Sequence, residues 1–183
     1  MSAPDISTLS PGVWNIDSSH TEVGFVVRHV MISKVRGRFS DISGNLTIAS
    51  PVTDSSVTAT IGLASINTDD EKRDEHLRSE DFFNVAKNPS MIFSSTGVRA
   101  DGKTWKLTGD LSLNGVTKGV ELELEFNGVG QDPWGGTRAG FTATTEINRK
   151  DFGLTWNVAI EAGGFVVGDT IKIELEIEAI RQA

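Results

Sequence analysis

Residues 20–29 read HTEVGFVVRH and decide the fold class of this chain. Val23, Phe25 and Val27 share one face, while Glu22, Gly24, Val26 and Arg28 share the other, which is the period of two expected of a β-strand with one buried face. His29 ends this apolar face. The stretch therefore predicts a strand that is hydrophobic on its inner side and carries an imidazole at one end.

The same alternation recurs along most of the chain. After a short strand at 13–17 and the strand at 22–30, it returns at 38–49, 56–63, 91–98, 103–113, 120–126, 137–147 and 170–180. Strands with one apolar and one polar face are typical of antiparallel sheets, and the lack of repeated strand–helix alternation excludes a nucleotide-binding α/β fold. Asn114 and Gly115 give the strongest signal for a hairpin turn.

These observations predict an all-β protein and leave two architectures, a two-sheet sandwich and a closed barrel. The hairpins are consecutive, and the inner faces mix large residues with glycine and alanine, which leaves internal space. We therefore favour an eight-stranded antiparallel, lipocalin-like barrel around an apolar cavity.

Residues 68–81 interrupt the alternation and predict the one helix. Thr68 and Glu71 have the spacing of a capping box, and the charged residues after them favour helix. Phe82 and Phe83 follow at its end. We expect a short helix that covers the mouth of the barrel.

Composition narrows the functional classes. The chain has 183 residues, no Cys and a formal charge of −8 at pH 7. The lack of Cys excludes thiol catalysis and thiolate metal sites. An acidic surface disfavours nucleic acids and electrostatic docking on anionic membranes. No apolar run approaches the ~20 residues of a membrane span, so we expect no stable membrane insertion.

The pattern divides the chain into a flexible N-terminal arm at 1–12 and a single barrel domain at 13–183. The arm is rich in Ser and Pro and lacks the basic and apolar regions of a secretory signal. We expect a cytoplasmic protein, or a periplasmic or secreted one if the native precursor is longer.

Few residues are candidates for chemistry. The three imidazoles, His20, His29 and His76, lack the spacing of a zinc-protease motif. His29 has three interpretations: a core or rim histidine bonded by backbone, a polar anchor for a ligand headgroup, or a metal ligand or general base. Residues 148–153, NRKDFG, contain the kinase DFG triplet without any other kinase motif, so they predict a tight turn or one-turn helix that plugs a barrel end. We assign no catalytic residue, no metal site and no cofactor.

Several motifs occur in a characteristic order. They are W-x-I-D-x-x-H, V-x-F-x-V-x-H, G-x-F, R-D-x-H-L-x-S-x-D-F-F, N-G-V-T and N-R-x-D-F-G, at 14–20, 23–29, 37–39, 73–83, 114–117 and 148–153. Together they resemble the YceI-like family of polyisoprenoid-binding, lipocalin-like proteins over nearly the whole chain. The resemblance implies an eight-stranded barrel with an elongated apolar cavity, homodimers, and a guest that is an isoprenoid, a quinone-type or a fatty-acyl lipid.

The leading hypothesis is the non-catalytic binding, storage or transport of such a lipid inside the barrel. The inward positions expected to contact its tail are Val23, Phe25, Val27, Leu46, Trp105, Leu107, Leu111, Phe141 and Ile173. The candidates for contact with its headgroup are His29, Arg73, His76 and Arg149.

Two alternative functions stay open. One is a small isomerase or hydrolase acting on a hydrophobic substrate, which would need a base such as His29 with a carboxylate partner. The other is a structural or adaptor module.

Overall fold

Burial of the apolar faces of the strands organises this chain. The computed structural model describes residues 4–159 and 164–183. In chain order these form β1 (Gly12–Ile16), β2 (Glu22–His29), β3 (Ser33–Phe39), β4 (Ile42–Ile48), β5 (Ser56–Gly62), β6 (Ile66–Asn67), α1 (Glu71–Arg78), β7 (Ser90–Asp101), β8 (Thr104–Leu113), β9 (Val116–Gln131), β10 (Thr137–Asn148) and β11 (Val167–Arg181).

The strands close into a barrel. β1, β4, β5, β7, β8, β9, β10 and β11 are neighbours in that order, and β1 also pairs with β11, where Trp14 lies opposite Arg181. β2 pairs with β11 beyond the end of β1, and β3 and β6 extend this part of the wall. The predicted eight-stranded antiparallel barrel with one α-helix is therefore confirmed.

The barrel has two different ends. The helix end carries α1, the turn at Asn114 and Gly115, and a one-turn 3₁₀ helix at Arg149–Phe152. Asn114 and Gly115 have φ values of 54° and 74°, as a type I′ turn requires. Phe152 is buried in the core at this end, which confirms that residues 148–153 plug the barrel. The opposite end carries the N-terminal segment and the β9–β10 turn. No helix among the described residues has the length and apolar character needed to cross a membrane.

The region predicted as one strand at 38–49 is two strands, and it begins earlier. β3 starts at Ser33, and Ser40 and Asp41 separate it from β4. β3 reads SKVRGRF, so its inner face contains a serine and a glycine. The apolar alternation in β3 is too weak to predict a strand, and its pairing with β2 stabilises it instead.

α1 begins later than the predicted capping box. Asp70, not Thr68, is the N-cap, and its carboxylate accepts a hydrogen bond from the Arg73 backbone N–H at 3.0 Å. Thr68 is buried and donates its hydroxyl hydrogen to Asp74 Oδ1 at 2.6 Å. Both residues are typical caps, and the tertiary contact of Thr68 decides between them.

The segment predicted as a flexible arm is packed in part. Ile6–Thr8 form a 3₁₀ turn, and Leu9 is buried in a cluster with Trp14 at the opposite end of the barrel. The physical reason is the spacing of Ile6 and Leu9, which directs two apolar side chains toward the barrel interior.

Candidate ligand-binding cavity

An apolar cavity of about 260 Å³ runs through the barrel. Its lining reaches from Ile6 and Leu9 at the opposite end to Leu154 and Val167 at the helix end. Along β11 it extends from Val167 to Ile177. For a strand that rises ~3.4 Å per residue and is tilted by ~40°, this stretch corresponds to about 25 Å along the barrel axis. The cavity is therefore long and narrow.

Polar side chains are scarce in the lining. Among the described residues they are Ser55, Thr145 and Arg149, together with the indole of Trp105. The Thr145 hydroxyl donates to the Glu121 carbonyl at 2.7 Å, and Ser55 Oγ accepts a backbone N–H at 2.9 Å. Because Ser55 and Thr145 are already hydrogen-bonded within the protein and nearly all of the remaining lining is apolar, the space favours apolar carbon.

All nine residues predicted to contact a lipid tail line the cavity: Val23, Phe25, Val27, Leu46, Trp105, Leu107, Leu111, Phe141 and Ile173. Their inward orientation follows from the period of two in each strand. Contact with a ligand stays a prediction for all nine.

Two aromatic rings in the lining lie over glycines of neighbouring strands. Phe25 packs on Gly37 of β3, and Phe93 packs on Gly109 of β8. A Cβ at Gly37 would lie 2.6 Å from Cε1 of Phe25, and one at Gly109 would lie 2.5 Å from Cε2 of Phe93, closer than real Cβ contacts. Glycine at these positions lets the rings approach the backbone of the neighbouring strands closely. The alternation at 91–98 was the signal that could have placed Phe93 in the site.

Side chains from α1 and the residues after it cover the helix end. Leu77, Phe82 and Phe83 all line the cavity. Arg78 holds the helix in place by donating to two backbone carbonyls in residues 64–66, at 3.0 and 3.1 Å. The predicted position of the helix over the mouth of the cavity is therefore confirmed.

His76 does not line the cavity. Its ring packs edge-on against Phe82 and Trp156, with centroid separations of 5.2 and 4.6 Å. Its Nε2 lies 2.8 Å from Asp81 Oδ2. The aromatic neighbours separate the imidazole from the tail space, so His76 forms part of the cover. Contact with a headgroup stays a prediction.

Arg73 also lies outside the lining. Its Nε and Nη2 donate to the hydroxyl and the carbonyl of Thr68, both at 2.8 Å. Thr68 in turn donates to Asp74. These bonds hold the guanidinium against the start of α1, so the predicted role of Arg73 in headgroup binding has no support in its position.

Arg149 lines the helix end of the cavity and is 2% exposed. Its Nη1 donates to the carbonyls of Leu154 and Trp156 at 2.7 and 2.8 Å, and its Nε donates to the carbonyl of Gly168 at 2.9 Å. A longer bond of 3.4 Å joins Nη2 to the carbonyl of Val167. Arginine has five N–H donors. Backbone carbonyls accept four of them, so one N–H of Arg149 is not bonded to the backbone.

The charge of Arg149 has one carboxylate nearby. Asp169 Oδ1 lies 3.6 Å from Nη2, and the Asp169 side chain is also paired with Lys150 at 3.1 Å. Burial lowers the pKa of the Arg149 guanidinium, and the Asp169 charge partly offsets this effect. Arg149 thus joins the 149–157 segment to β11, a structural task that its sequence motif did not indicate.

His29 is half-buried near the turn between β2 and β3. It lies opposite Val167 of β11 and Ser33 of β3, beyond Val27, the last residue of its strand that lines the cavity. Its backbone carbonyl accepts the Ile32 N–H at 3.2 Å. Because the strand continues past the cavity, the inward parity of His29 does not bring its ring into the lining.

A charged network that the sequence did not predict lies toward the opposite end. Arg138 Nη1 donates to Asp17 and Glu178, both at 2.6 Å, and its Nε donates to Asp132 at 2.8 Å. Hydrogen bonds from Ser19, Arg138 and His20 hold the pKa of Asp17 far below its usual range. No sequence signal could reveal this network, because Arg138 is 121 residues from Asp17 and 40 residues from Glu178.

Asp17, His20 and Glu178 lie close enough together to hold a metal ion. The guanidinium of Arg138 already donates a hydrogen bond to each of the two carboxylates, at 2.6 Å. We therefore assign this cluster a structural role, and the position of His20 beside Asp17, at 2.9 Å, agrees with that assignment.

Comparison with known proteins places the chain in a family. It matches the YceI-like domain over residues 14–179. A UPF0312 protein of Shewanella denitrificans is 41% identical over 167 residues, which cover 90% of this chain and 84% of the relative.

Two solved structures are similar to this one. BcnA of Burkholderia cenocepacia has a TM-score of 0.74 at 21% identity, covering 89% of this chain and 98% of that one. A Saccharophagus degradans domain described as polyisoprenoid-binding has a TM-score of 0.70 at 17% identity, covering 94% and 100%. The two structures share the barrel fold, and the family match spans almost the whole barrel. The chain belongs to the YceI-like domain family.

Proposed function

We propose that this protein binds a long-chain isoprenoid or a similar amphiphilic lipid in its barrel and stores or carries it without chemical change. The observation that carries the proposal is the apolar cavity that extends along the barrel. The polyisoprenoid-binding description of the Saccharophagus degradans domain, which has the same fold, supports this class of ligand.

The dimensions of the cavity favour a chain over a compact ring. An apolar cavity of roughly 150 Å³ stays dry and takes up benzene, and this one is larger, at about 260 Å³. Its axial length of about 25 Å exceeds half of the ~30 Å hydrocarbon core of a bilayer, which is the depth of one leaflet. A single extended lipid tail therefore fits along the axis.

The energy of binding comes mainly from the tail. Each buried methylene contributes about 0.8 kcal/mol, so five of them change the dissociation constant by roughly a thousandfold. We expect affinity to rise with chain length while the tail lies inside the barrel. The scarcity of free polar groups in the lining supports binding over turnover, because a general acid or base must reach the reacting atoms.

We propose that the headgroup lies at the helix end. Leu9 and Trp14 fill the opposite end with apolar side chains, and Trp14 is fully buried. At the helix end Arg149 lines the cavity, and one N–H of its Nη2, which lies 3.6 Å from Asp169 Oδ1, is not bonded to the backbone. A neutral or anionic headgroup could accept that hydrogen.

Native mass spectrometry of protein purified from its natural host tests the proposal. We expect a bound species whose mass matches a lipid and which leaves on denaturation. Titration of delipidated protein with farnesol should then show saturable uptake, with glycerol as the polar control. A uniformly ligand-free mass combined with no uptake of farnesol or of an acyl probe would overturn the proposal.

A further inference from the structure

Exposed apolar side chains gather beside the mouth of the cavity. Val30 N–H donates to the Val166 carbonyl at 2.8 Å, and Val166 N–H donates to the Val158 carbonyl at 3.0 Å, so three segments form one surface. Four of the seven large apolar residues that are exposed in the described part of the chain lie on it: Met31, Ile32, Val158 and Phe165. These four residues form the apolar tip. Ile32 is 83% exposed.

The backbone of the tip is unfavourable for the residues that occupy it. Val30 and Met31 have φ values of 45° and 65°, in the left-handed region that glycine and asparagine prefer. The hairpin turn at Asn114 and Gly115 has the same backbone geometry with the favoured residues. Strain of this kind often accompanies function. At this turn it holds apolar side chains in solvent, where they contribute little to the core.

Basic residues stand directly behind the tip. Residues 23–40 contain four of the 17 basic residues of the chain and none of its 25 acidic ones. Arg28 and Lys34 lie opposite each other on the outer face of β2 and β3. Neither has an acidic group within ion-pair distance among residues 4–159 and 164–183. Apolar side chains with cations behind them match the layers of an anionic bilayer surface.

We propose that the apolar tip docks on an anionic phospholipid bilayer, with Met31 and Ile32 entering the interface and Arg28 and Lys34 facing lipid phosphates. The inference goes beyond the proposed function, because it rests on the outer surface and assigns a partner to it. The net charge of −8 disfavours docking of the molecule as a whole, but it acts only weakly on the apolar tip and the cations behind it. At physiological salt the Debye length is about 8 Å. The repulsion between distant carboxylates and the bilayer is therefore screened, while Arg28 and Lys34 would contact the lipid phosphates directly.

Docking would bring the cavity to the membrane. Val167 lines the helix end of the cavity and pairs with His29, next to the turn that carries the tip. A lipid moving between bilayer and barrel would then avoid a long path through water.

Co-sedimentation with vesicles tests the docking. We expect the full chain to bind vesicles of phosphatidylcholine with about one third phosphatidylglycerol, to bind pure phosphatidylcholine weakly, and to be released by high salt. Ile32→Ser should weaken binding about tenfold, from the lost burial of one aliphatic side chain. The double variant Arg28→Gln, Lys34→Gln should weaken it roughly 25-fold, at about fivefold for each cation removed from the surface.

Matched controls lie at the opposite end. Trp134 is 85% exposed in the β9–β10 turn, and Lys103 is exposed between β7 and β8. Trp134→Ser and Lys103→Gln should leave vesicle binding unchanged.

Two results would overturn the proposal. One is no binding of the parent chain to anionic vesicles, and the other is loss of binding in Trp134→Ser but not in Ile32→Ser. A change from dimer to monomer in Ile32→Ser, without vesicle binding by the parent, would show instead that the tip joins two copies. Farnesol uptake by the tip variants should be unchanged, so failure of docking would leave the carrier proposal standing.

Discussion

Ala143→Leu should obstruct the cavity while the barrel stays folded. Ala143 lies in β10, opposite Leu124 of β9 and Leu175 of β11, and its small side chain lines the cavity. It is 3% exposed, so a larger side chain at this position has no route to solvent and must enter the cavity.

The size of the effect follows from the carbon that is added. Leucine has three more carbon atoms than alanine, and they would displace about as many methylenes of a bound tail. At ~0.8 kcal/mol each, the loss is roughly 2.4 kcal/mol, or about a 60-fold increase in the dissociation constant. The free energy of unfolding should change by less than about 1.5 kcal/mol, because burial of the new side chain in the cavity offsets some crowding.

Titration with farnesol or a fluorescent acyl probe measures the affinity, and urea unfolding measures the stability. Thr144→Leu is the matched control, since Thr144 is the next residue of β10 and lies between Glu123 and Glu174 on the outer face. The same new side chain there should leave the affinity unchanged. If folded Ala143→Leu binds the probe within threefold of the parent protein, the tail does not pass the middle of the barrel and the reasoning is wrong.

Three further substitutions test the structure by urea unfolding. Arg149→Met removes the donors to several buried carbonyls and should lower the free energy of unfolding by about 3 kcal/mol or more; a loss below about 1 kcal/mol would show that water replaces the guanidinium. Gly37→Ala forces a Cβ against the Phe25 ring and should cost about 1–3 kcal/mol, so an unchanged midpoint would contradict the close packing. The pKa of Asp17 is lower in the folded than in the unfolded state, so unfolding in acid takes up a proton. The contribution of Asp17 to the free energy of unfolding is therefore complete above about pH 5 and declines as the pH falls below the unfolded pKa of about 3.9. Asp17→Asn should therefore flatten the acid side of the stability profile, and an identical slope in both proteins would exclude Asp17 as its source.

The strands could be predicted because their signal is local. In β10, for example, Ala139, Phe141 and Ala143 are buried and alternate with Gly140 and Thr142, so the period of two is readable without knowledge of the neighbouring strands. The same holds for the turn at Asn114 and Gly115, whose backbone geometry those residue types favour. The nine wall residues follow from that parity alone.

β3 could not be predicted, because pairing with β2 stabilises a strand whose own pattern is weak. The Arg138 network joins side chains from three distant parts of the chain, and each looks like an ordinary surface charge in isolation. The position of Arg149 was equally hidden, since a guanidinium in a polar motif indicates a ligand contact as readily as a structural one. Long-range partners decided all three cases.

The two ends of the barrel differ in a way that gives the cavity a direction. At the opposite end Trp14 is fully buried, and Arg138 ties three carboxylates together. Opening that end would expose a large aromatic ring and break several charge-assisted hydrogen bonds of Arg138. At the helix end the cover includes the half-buried Leu77 and Trp156. Local opening occurs first where the least structure is lost, so we propose that a lipid tail enters and leaves past α1, beside the apolar tip. In this proposal the headgroup lies at the helix end, and the end of the molecule that docks on the membrane is also the end that exchanges the lipid.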